Sequence, residues 1–249
     1  MTPPGTTSTT RVDEIAEGIF RISTPIDVIP GGFTFNQYLI ADDEPLLFHT
    51  GMRALFPAVR AAIERVLPIQ NLRWVACSHH EPDECGSLND FLAAAPRATA
   101  LTGQIGAVVT IGGEAIRPPR SLADGETLRL GRRVVEWYDA PHVPHGWDCG
   151  FLGERTTRTL FFGDLFTQPG AECEPITERD ILGPSEAMRG AMDYFSHGPN
   201  TRAVLERLAA TRPAVLACMH GSAWRGDGEH LLLELAQRLE ATSRARGKS

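Results

Sequence analysis

The sequence lacks long apolar runs, and this absence excludes two classes of protein. No stretch approaches the roughly 20 consecutive apolar residues that are needed to span a bilayer. Residues 1–18 contain no apolar segment of the length that signal peptides have. We therefore expect a protein that is soluble, is not exported and has no membrane partner.

Cysteine is scarce, and basic residues are in the minority. The five cysteines are odd in number and form no C-x-x-C pair, which argues against a disulfide framework or a thiolate zinc cage and favours a reducing cytoplasm. The 24 lysine and arginine residues are outnumbered by 31 aspartate and glutamate residues, and the formal net charge is -7. Because no basic stripe could follow a phosphate backbone, we expect no nucleic-acid partner.

The apolar content is sufficient for one large core. The chain has 249 residues, of which 42% are hydrophobic, and this suits a single domain. Residues 1–11 and 244–249 are polar and are predicted to be flexible tails, which leaves 12–243 as the domain.

Short apolar runs alternate with helical patterns along this domain. The predicted strands cover 18–23, 35–42, 45–50, 72–78, 99–103, 126–130, 132–140, 150–154, 158–164 and 214–218. The predicted helices cover 56–67, 87–95, 103–111, 185–197, 200–210 and 228–243. This order indicates an α/β fold in which two stacked mixed sheets carry helices on their outer faces, an αββα sandwich.

The strongest local pattern follows the predicted strand 72–78. His79, Glu81 and Asp83 occupy alternate positions, and in an extended backbone their side chains project to one side. Pro82 favours an extended backbone at Glu81. The three side chains could converge on a metal, and the alternative is that the segment is a solvated surface turn.

Three further candidates lie where other predicted strands end. His145 follows 132–140, Asp164 ends 158–164, and His220 follows 214–218. Each has an ordinary structural explanation when taken alone, but strand ends at one edge of a sandwich cluster in space and can hold ligands rigidly. Three imidazoles and three carboxylates suit a pair of redox-competent first-row metal ions better than they suit zinc.

The order and spacing of these residues resemble the metallo-β-lactamase superfamily, and within it the di-iron domain of the flavodiiron proteins and of stand-alone oxygen-binding di-iron proteins. The family motif H-x-E-x-D matches His79, Glu81 and Asp83, whereas hydrolases of the superfamily carry histidine in place of the glutamate. The resemblance covers residues 13 to 240 or so. It includes the further matches His145 with Trp147 and Asp148, Asp164, His220 with Gly221, and Trp224 with Arg225.

The resemblance implies a metallo-β-lactamase fold and a set of metal ligands. The implied ligands are His79, Glu81 and His145 for one iron, Asp83 and His220 for the other, and Asp164 as the bridge between them. Manganese or zinc are the alternative metals. Asp83, Glu84 and Asp164 are the predicted catalytic carboxylates. Glu84 stands where many flavodiiron proteins have histidine, and it could coordinate metal, neutralise charge or hydrogen-bond a ligand.

The resemblance also implies cofactors and partners. Two iron ions are the expected cofactors, and dioxygen or nitric oxide is the expected small-molecule partner. Complete flavodiiron reductases carry a flavodoxin-like domain that has no counterpart in this sequence, so we expect no flavin on this chain. A separate flavoprotein or a rubredoxin-type protein would then donate electrons. Pairing into a homodimer is implied by the resemblance alone.

Three functions are compatible with these residues. The first is a non-haem di-iron protein that binds dioxygen as a sensor or carrier, or an oxidoreductase that reduces dioxygen or nitric oxide. The second is a metal-dependent hydrolase in which a metal-bridging hydroxide attacks an ester, thioester or lactam. The third is an oxygen-responsive binding module without catalysis. Glu81 favours the first, because a carboxylate shifts the site from zinc towards iron.

Residues beside these motifs are expected to support the site. We expect His49 to be buried and hydrogen-bonded, and His80 to point away from the ligands. Trp147, Trp224 and Tyr194 are candidates for the pocket wall, with plain core packing as the alternative.

Overall fold

A computed structural model describes residues 9–27 and 30–246, with the backbone alone for 243–246. Most of the predicted tails, namely 1–8 and 247–249, lies outside the described residues. The first strand begins at Arg11 and the last helix reaches Arg246. Regular structure therefore extends slightly beyond both predicted boundaries of the domain, 12 and 243.

Among the described residues, fourteen strands form two mixed sheets of seven strands each. The strands of the first sheet are β1 (Arg11–Ala16), β2 (Ile19–Ile26), β3 (Phe33–Ile40), β4 (Leu46–Phe48), β5 (Trp74–Ala76), β6 (Thr99–Gly103) and β7 (Arg120–Leu122). They lie in sequence order, antiparallel from β1 to β4 and parallel from β4 to β7.

The second sheet is built from the second half of the chain. Its strands are β8 (Thr127–Arg129), β9 (Val134–Asp139), β10 (Gly150–Glu154), β11 (Thr159–Phe161), β12 (Ile176–Thr177), β13 (Val215–Ala217) and β14 (Ala223–Arg225). Their spatial order is β12, β14, β13, β11, β10, β9, β8. The pairs β11 with β13 and β12 with β14 are parallel, and the others are antiparallel.

Helices flank both sheets. They are α1 (Phe56–Ile63), α2 (Pro82–Cys85), α3 (Leu88–Ala94), α4 (Gln104–Val108), α5 (Ile111–Glu114), α6 (Leu182–Ala191), α7 (Thr201–Ala209) and α8 (Gly228–Arg246). Short 3-10 turns occur at Arg53–Leu55 and Ile69–Asn71. No helix in the described part of the chain combines the length and the apolar character that crossing a bilayer requires.

Alternating side chains sort the apolar residues into three layers. On β5, Trp74 packs between the sheets, whereas Val75 packs in the outer layer with α1 and α3. On β11, Phe161 packs between the sheets, whereas Leu160 packs in the other outer layer with α7 and α8. Each sheet is therefore apolar on both faces, and the predicted αββα sandwich is confirmed.

All ten predicted strands are present, and four strands have no counterpart in the sequence prediction. These are β1, β7, β12 and β14. Three of them have only two or three residues, and β1 fully buries Ile15 alone. Such segments are too short or too exposed for an alternating apolar pattern, so their pairing partners define them as strands.

The helix predicted over 185–197 is wrong in its bounds, because α6 covers Leu182–Ala191. It begins early since the Asp180 carboxylate accepts hydrogen bonds from the backbone N–H groups of Leu182 and Gly183, at 2.8 and 3.1 Å. It ends at Ala191, after which Met192 has extended backbone. The helix predicted over 103–111 is two short helices, α4 and α5.

Buried polar groups of β2 and β3 tie the first sheet to the loop that follows β13. Asn36 Nδ2 donates hydrogen bonds to the carbonyl groups of Cys218 and Gly221, at 2.9 and 2.8 Å. The Tyr38 hydroxyl also donates to Cys218, at 2.6 Å, and Arg21 Nη2 donates to Gly221, at 2.7 Å. Because these groups are excluded from water, the bonds fix the position of the loop relative to the first sheet.

We expect Asn36→Ala to lower the free energy of unfolding of the metal-free protein by about 2–3 kcal/mol. Each lost hydrogen bond contributes about 1 kcal/mol, and incompletely satisfied buried carbonyl groups add to the cost. Urea unfolding followed by circular dichroism measures the change. Arg129→Ala, on the exposed edge strand β8, is the control and should change the free energy by less than about 0.5 kcal/mol. Equal effects of the two substitutions would contradict the proposed tie.

Candidate metal centre

The segment after β5 supplies three of the six predicted ligands. Glu81 has extended backbone, with φ -138° and ψ 158°, as expected before a proline. Pro82 then begins the one-turn helix α2, a position that proline favours. Asp83 therefore lies on a helical turn, and the extended backbone predicted through this position is wrong. His79 and Asp83 nevertheless both approach Asp164.

The other three predicted ligands come from loops of the second sheet. His145 lies between β9 and β10, Asp164 follows β11, and His220 follows β13. Because β11 and β13 are parallel neighbours, Asp164 and His220 leave the sheet at the same edge. The structure brings all six predicted side chains together at this edge, in two donor groups.

The first donor group contains His79, Glu81, His145 and Asp164, whose donor atoms lie within 4.8 Å of one another. His145 Nε2 is 3.1 Å from Glu81 Oε1, from Asp164 Oδ2 and from His79 Nε2. His79 Nε2 is 3.5 Å from Asp164 Oδ2 and 3.7 Å from Glu81 Oε1. Two imidazole nitrogens and two carboxylate oxygens therefore converge.

The second donor group contains Asp83, Asp164 and His220. His220 Nε2 lies 3.1 Å from Asp164 Oδ1 and 3.4 Å from Asp83 Oδ2. Asp164 thus belongs to both groups, through Oδ2 in the first and through Oδ1 in the second. This is the arrangement in which one carboxylate can serve two neighbouring cations.

Two of the imidazoles are held by backbone carbonyl groups. His145 Nδ1 lies 2.8 Å from the carbonyl oxygen of Tyr194, and His220 Nδ1 lies 2.9 Å from that of Thr34. Since a carbonyl group only accepts, Nδ1 is the donor in both pairs. In the neutral imidazole this leaves the lone pair of Nε2 directed into the site, as a metal ligand requires.

The third imidazole is held by a hydroxyl group. His79 Nδ1 lies 2.9 Å from Ser78 Oγ, which is also 3.0 Å from Nε2 of the buried His49. Gly163 allows this close packing, because a Cβ there would lie 2.5 Å from Ser78 Oγ and 3.2 Å from the His79 ring. The expectation that His49 is a buried, hydrogen-bonded residue agrees with this arrangement.

Carboxylates raise the pKa of two of these histidines. Burial alone would lower the pKa of His145, but its hydrogen bonds to Asp164 and Glu81 outweigh burial and raise the pKa to about 10. Burial is likewise outweighed at His220, where Asp164 and Asp83 raise the pKa to about 9. With carboxylates as their partners and no metal bound, both side chains are therefore positively charged imidazolium groups at neutral pH, with a proton on each ring nitrogen.

The same hydrogen bonds lower the pKa values of the Asp164 and Asp83 carboxyl groups. Burial would raise the pKa of Asp164, but hydrogen bonds from His145 and His220 hold it well below its ordinary range. Burial is also outweighed at Asp83, whose pKa is lowered by His220. The pKa of His79 is lowered, mainly by burial. Ionised carboxylates and one neutral imidazole therefore face the site.

Glu84, a predicted catalytic residue, lies beneath these groups. Its side chain is fully buried, and neither carboxylate oxygen accepts a hydrogen bond from an N–H or O–H donor of the described residues. Burial raises its pKa well above the usual range, and the negative charges of Asp164 and Asp83, together with a hydrogen bond between the Glu84 and Asp83 carboxyl groups, act in the same direction. Its nearest imidazole nitrogen, His79 Nε2, is 3.8 Å from Oε1, which is too far for a hydrogen bond.

These groups fit a pair of metal ions. Carboxylate oxygen with imidazole nitrogen is a donor set that iron and manganese accept, and the donor atoms already lie within a few ångströms of one another. Hydrogen bonding among the described residues leaves the buried Glu84 carboxyl group with no N–H or O–H donor and with only another carboxyl group, that of Asp83, beside it. A purely structural polar network would satisfy its buried members.

Aromatic rings cover part of the site and leave one side open. Phe33 stacks on the His220 ring with 4.3 Å between centroids, and Phe35 meets that ring edge-on at 5.3 Å. The side chain of His79 is 1% exposed, whereas that of Glu81 is 44% exposed. A small molecule would therefore reach the site from the side of Glu81.

The remaining sequence predictions near the site have mixed outcomes. Tyr194 contacts the His145 ring edge-on, with 6.2 Å between centroids. Trp147 is 53% exposed, and Trp224 packs in the outer core layer with its indole N–H bonded to the Arg179 carbonyl, so neither is a buried wall of the site. His80 points away and pairs with Glu114 at 3.0 Å.

Sequence reasoning missed the groups that orient the imidazoles. Thr34 and Tyr194 act through backbone carbonyl groups, which no residue type reveals. Ser78 is adjacent to His79, and a hydroxyl residue next to a candidate ligand was the one available signal. Phe33 was invisible as a site residue because it is far from His220 in sequence.

Known proteins of similar sequence include a flavoprotein and an oxidoreductase. The putative diflavin flavoprotein A 1 of Thermosynechococcus vestitus is 28% identical over 204 residues, which cover 78% of this chain and 34% of that protein. The rubredoxin-oxygen oxidoreductase of Megalodesulfovibrio gigas is 26% identical over 208 residues, which cover 79% of this chain and 50% of that protein. The chain thus spans half or less of the length of these relatives.

Solved structures of the same fold include flavodiiron cores. The metal-soaked Flv1 flavodiiron core from Synechocystis sp. has a TM-score of 0.81 at 19% identity, covering 93% of this chain and 61% of that one. The rubredoxin oxygen:oxidoreductase from Desulfovibrio gigas has a TM-score of 0.77 at 22% identity, and the match covers 91% of this chain and 62% of that one. These likenesses confirm the predicted metallo-β-lactamase fold.

A family model completes the comparison. The model of the ODP family beta lactamase matches residues 33–221, a range that contains both donor groups. The matched range is most of the chain, and the predicted resemblance to flavodiiron proteins is confirmed by the relatives above. The chain therefore belongs to the ODP family of beta lactamases.

Proposed function

We propose that this chain binds a pair of iron ions and acts in the chemistry of dioxygen or nitric oxide. The observation that carries the proposal is the position of Asp164. Its Oδ2 lies 3.1 Å from His145 Nε2, and its Oδ1 lies 3.1 Å from His220 Nε2. Two cations about 3.5–4 Å apart repel each other, and a carboxylate with one oxygen towards each offsets that repulsion.

The proposed ligands follow the two donor groups. They are His79, Glu81 and His145 for one ion, Asp83 and His220 for the other, and Asp164 for both. The high share of carboxylate oxygen supports iron or manganese over zinc. Similarity to a flavodiiron core and to a rubredoxin oxygen:oxidoreductase supports iron in particular.

The protein residues orient the donors and control access. The carbonyl groups of Tyr194 and Thr34 fix the tautomers of His145 and His220, so that Nε2 faces the metal in each. Phe33 excludes water from the His220 side, and Glu81 lies at the side by which a small molecule enters. Bound iron would supply redox chemistry with diatomic ligands that these side chains cannot supply themselves.

A reductase of this kind needs a source of electrons. The names of the relatives, diflavin flavoprotein and rubredoxin-oxygen oxidoreductase, support a flavoprotein or a rubredoxin-type protein as the donor. A sensor or carrier of dioxygen would use the same ligands and would need no donor. Dioxygen consumption in the presence of a reductant distinguishes these two forms of the proposal.

We expect protein purified without air to contain about two iron ions per chain, because the donor atoms form two groups around one shared carboxylate. Admitting air should change the visible absorption spectrum. Elemental analysis and optical spectroscopy measure both quantities. Asp164→Ala should lose most of the iron from both sites, since the residue serves both groups.

Asp148→Ala is the matched control for this experiment. Asp148 is also buried and close to His145 in sequence, but it hydrogen-bonds Thr110 and belongs to neither donor group. This variant should retain its iron. One zinc ion per chain, an unchanged spectrum in air and turnover of an ester would contradict the proposal and support the metal-dependent hydrolase.

Metal binding to the metal-free protein should release protons at neutral pH. His145 and His220, with pKa values raised to about 10 and about 9, must lose a proton before Nε2 can bind a metal. Metal affinity should therefore rise as pH increases from 6 to 8, by up to about 100-fold per pH unit if two protons leave. Calorimetric titration with Mn²⁺ in buffers of different ionisation enthalpy measures the number of protons. Affinity that is independent of pH over this range would contradict the expectation.

A further inference from the structure

Two cysteines bracket the segment that supplies half of the proposed ligands. Cys77 follows β5 and Cys85 ends α2, and His79, Glu81 and Asp83 all lie between them. Both cysteines are buried in the same apolar layer, with exposures of 4% and 5%. The proposed function gives neither thiol group a role.

The two thiol groups are neighbours in the fold, and they hydrogen-bond each other. The backbone explains this proximity, because two adjacent N–H groups bind both stretches of chain. His49 N–H donates to the carbonyl oxygen of the residue before Cys77 at 2.8 Å, and Thr50 N–H donates to that of the residue before Cys85 at 2.7 Å. Such proximity lets an S–S bond form without a large movement of the backbone.

The other three cysteines have different partners among the described residues. Cys149, Cys173 and Cys218 donate hydrogen bonds to backbone carbonyl groups, at 3.0, 3.5 and 3.8 Å. Cys173 is the least buried of the five cysteines. Exposure alone would therefore make Cys173 the first thiol to be oxidised, whereas proximity favours the pair.

The pair also lies beside the open side of the site. Cys85 Sγ donates a hydrogen bond to the Glu81 carbonyl group at 3.2 Å, and the Glu81 side chain is 44% exposed. A small oxidant that enters beside Glu81 therefore arrives next to Cys85. Hydrogen peroxide is such an oxidant, because two-electron reduction of dioxygen yields it and it oxidises thiols.

We propose that Cys77 and Cys85 form a redox-active dithiol, whose oxidation to a disulfide weakens metal binding by the segment between them. The weakening rests on the proposed function, whereas disulfide formation does not. A covalent S–S bond is shorter than a contact between two thiols, so its formation draws the end of β5 towards α2. Ligands must be held to within about 0.5 Å of their working positions. His79 and Asp83 each lie two residues from a sulfur that moves.

Hydrogen peroxide alone balances the proposed oxidation. The Cys85 sulfur attacks one oxygen of the peroxide, the O–O bond breaks, and a sulfenic acid and one water form. The Cys77 sulfur then attacks the sulfenic sulfur, the S–S bond forms, and a second water leaves. Two electrons pass from the sulfurs to the peroxide, and both thiol protons end in water. A dithiol reductant reverses the oxidation by thiol–disulfide exchange.

Peptide mass spectrometry of the reduced, metal-free chain tests disulfide formation. One equivalent of hydrogen peroxide is added, catalase stops the reaction, and free thiols are alkylated in denaturant. Trypsin then releases both cysteines in one peptide, residues 74–97. We expect this peptide to lose two hydrogen atoms and to carry no alkyl group, while Cys173 stays reduced. Alkylation of both Cys77 and Cys85 after treatment, or oxidation of Cys173 in their place, would overturn the inference.

The Mn²⁺ affinity of the oxidised chain tests the effect on the site. This affinity, followed by the electron paramagnetic resonance signal of the free ion, should fall at least about tenfold on oxidation. It should return after reduction with dithiothreitol and removal of the reductant. Cys85→Ser cannot form the disulfide, so peroxide should leave its affinity unchanged. Cys173→Ser is the matched control, and peroxide should lower its affinity as it does in the unmodified protein.

Equal Mn²⁺ affinity of the reduced and disulfide forms would overturn the inference, and so would an equal loss of affinity in peroxide-treated Cys85→Ser. Failure of the reduced, unmodified protein to bind two Mn²⁺ ions would instead contradict the proposed function. The mass of the 74–97 peptide would still decide in that case whether the disulfide forms.

Discussion

The shared carboxylate of Asp164 is the constraint on which the rest of the site depends. Its two oxygens face different imidazoles, His145 on one side and His220 on the other, each at 3.1 Å. For a single side chain to do this, the loops after β9, β11 and β13 must meet at one edge of the second sheet. The parallel pairing of β11 with β13 and the glycine before Asp164 make that meeting possible. The cost of crowding carboxylates in a buried place is offset when cations occupy the site.

The αββα sandwich holds this arrangement from both of its sheets. The first sheet contributes β3, whose Asn36 and Tyr38 bind the loop that carries His220 and whose neighbouring carbonyl group at Thr34 orients that imidazole. The second sheet contributes the strands from which Asp164 and His220 emerge. The site is therefore built across the interface between the two sheets, where side chains are rigid and largely removed from water. Rigid orientation of Nε2 atoms is the contribution of the protein, and redox chemistry would be the contribution of the metal.

Much of this could be predicted from the sequence, for identifiable reasons. Apolar runs of regular spacing define the strands, and His79, Asp164 and His220 each follow such a run, so their position at strand ends was readable. The bend at Asp83 was not, because the alternate spacing of His79, Glu81 and Asp83 suggests an extended backbone, whereas Pro82 begins a helical turn in the fold. The carbonyl groups that orient His145 and His220 were also invisible, since backbone atoms carry no sequence signal and Thr34 is 186 residues from His220. The burial of Glu84 depends on the same long-range packing.

The most direct test of the central claim is a crystal structure of the iron-loaded protein with anomalous diffraction recorded at the iron and zinc absorption edges. The account predicts two iron peaks roughly 3.5–4 Å apart, with the Asp164 carboxylate between them, one beside His79 and His145 and the other beside His220. A single peak, or peaks that appear at the zinc edge alone, would contradict the account.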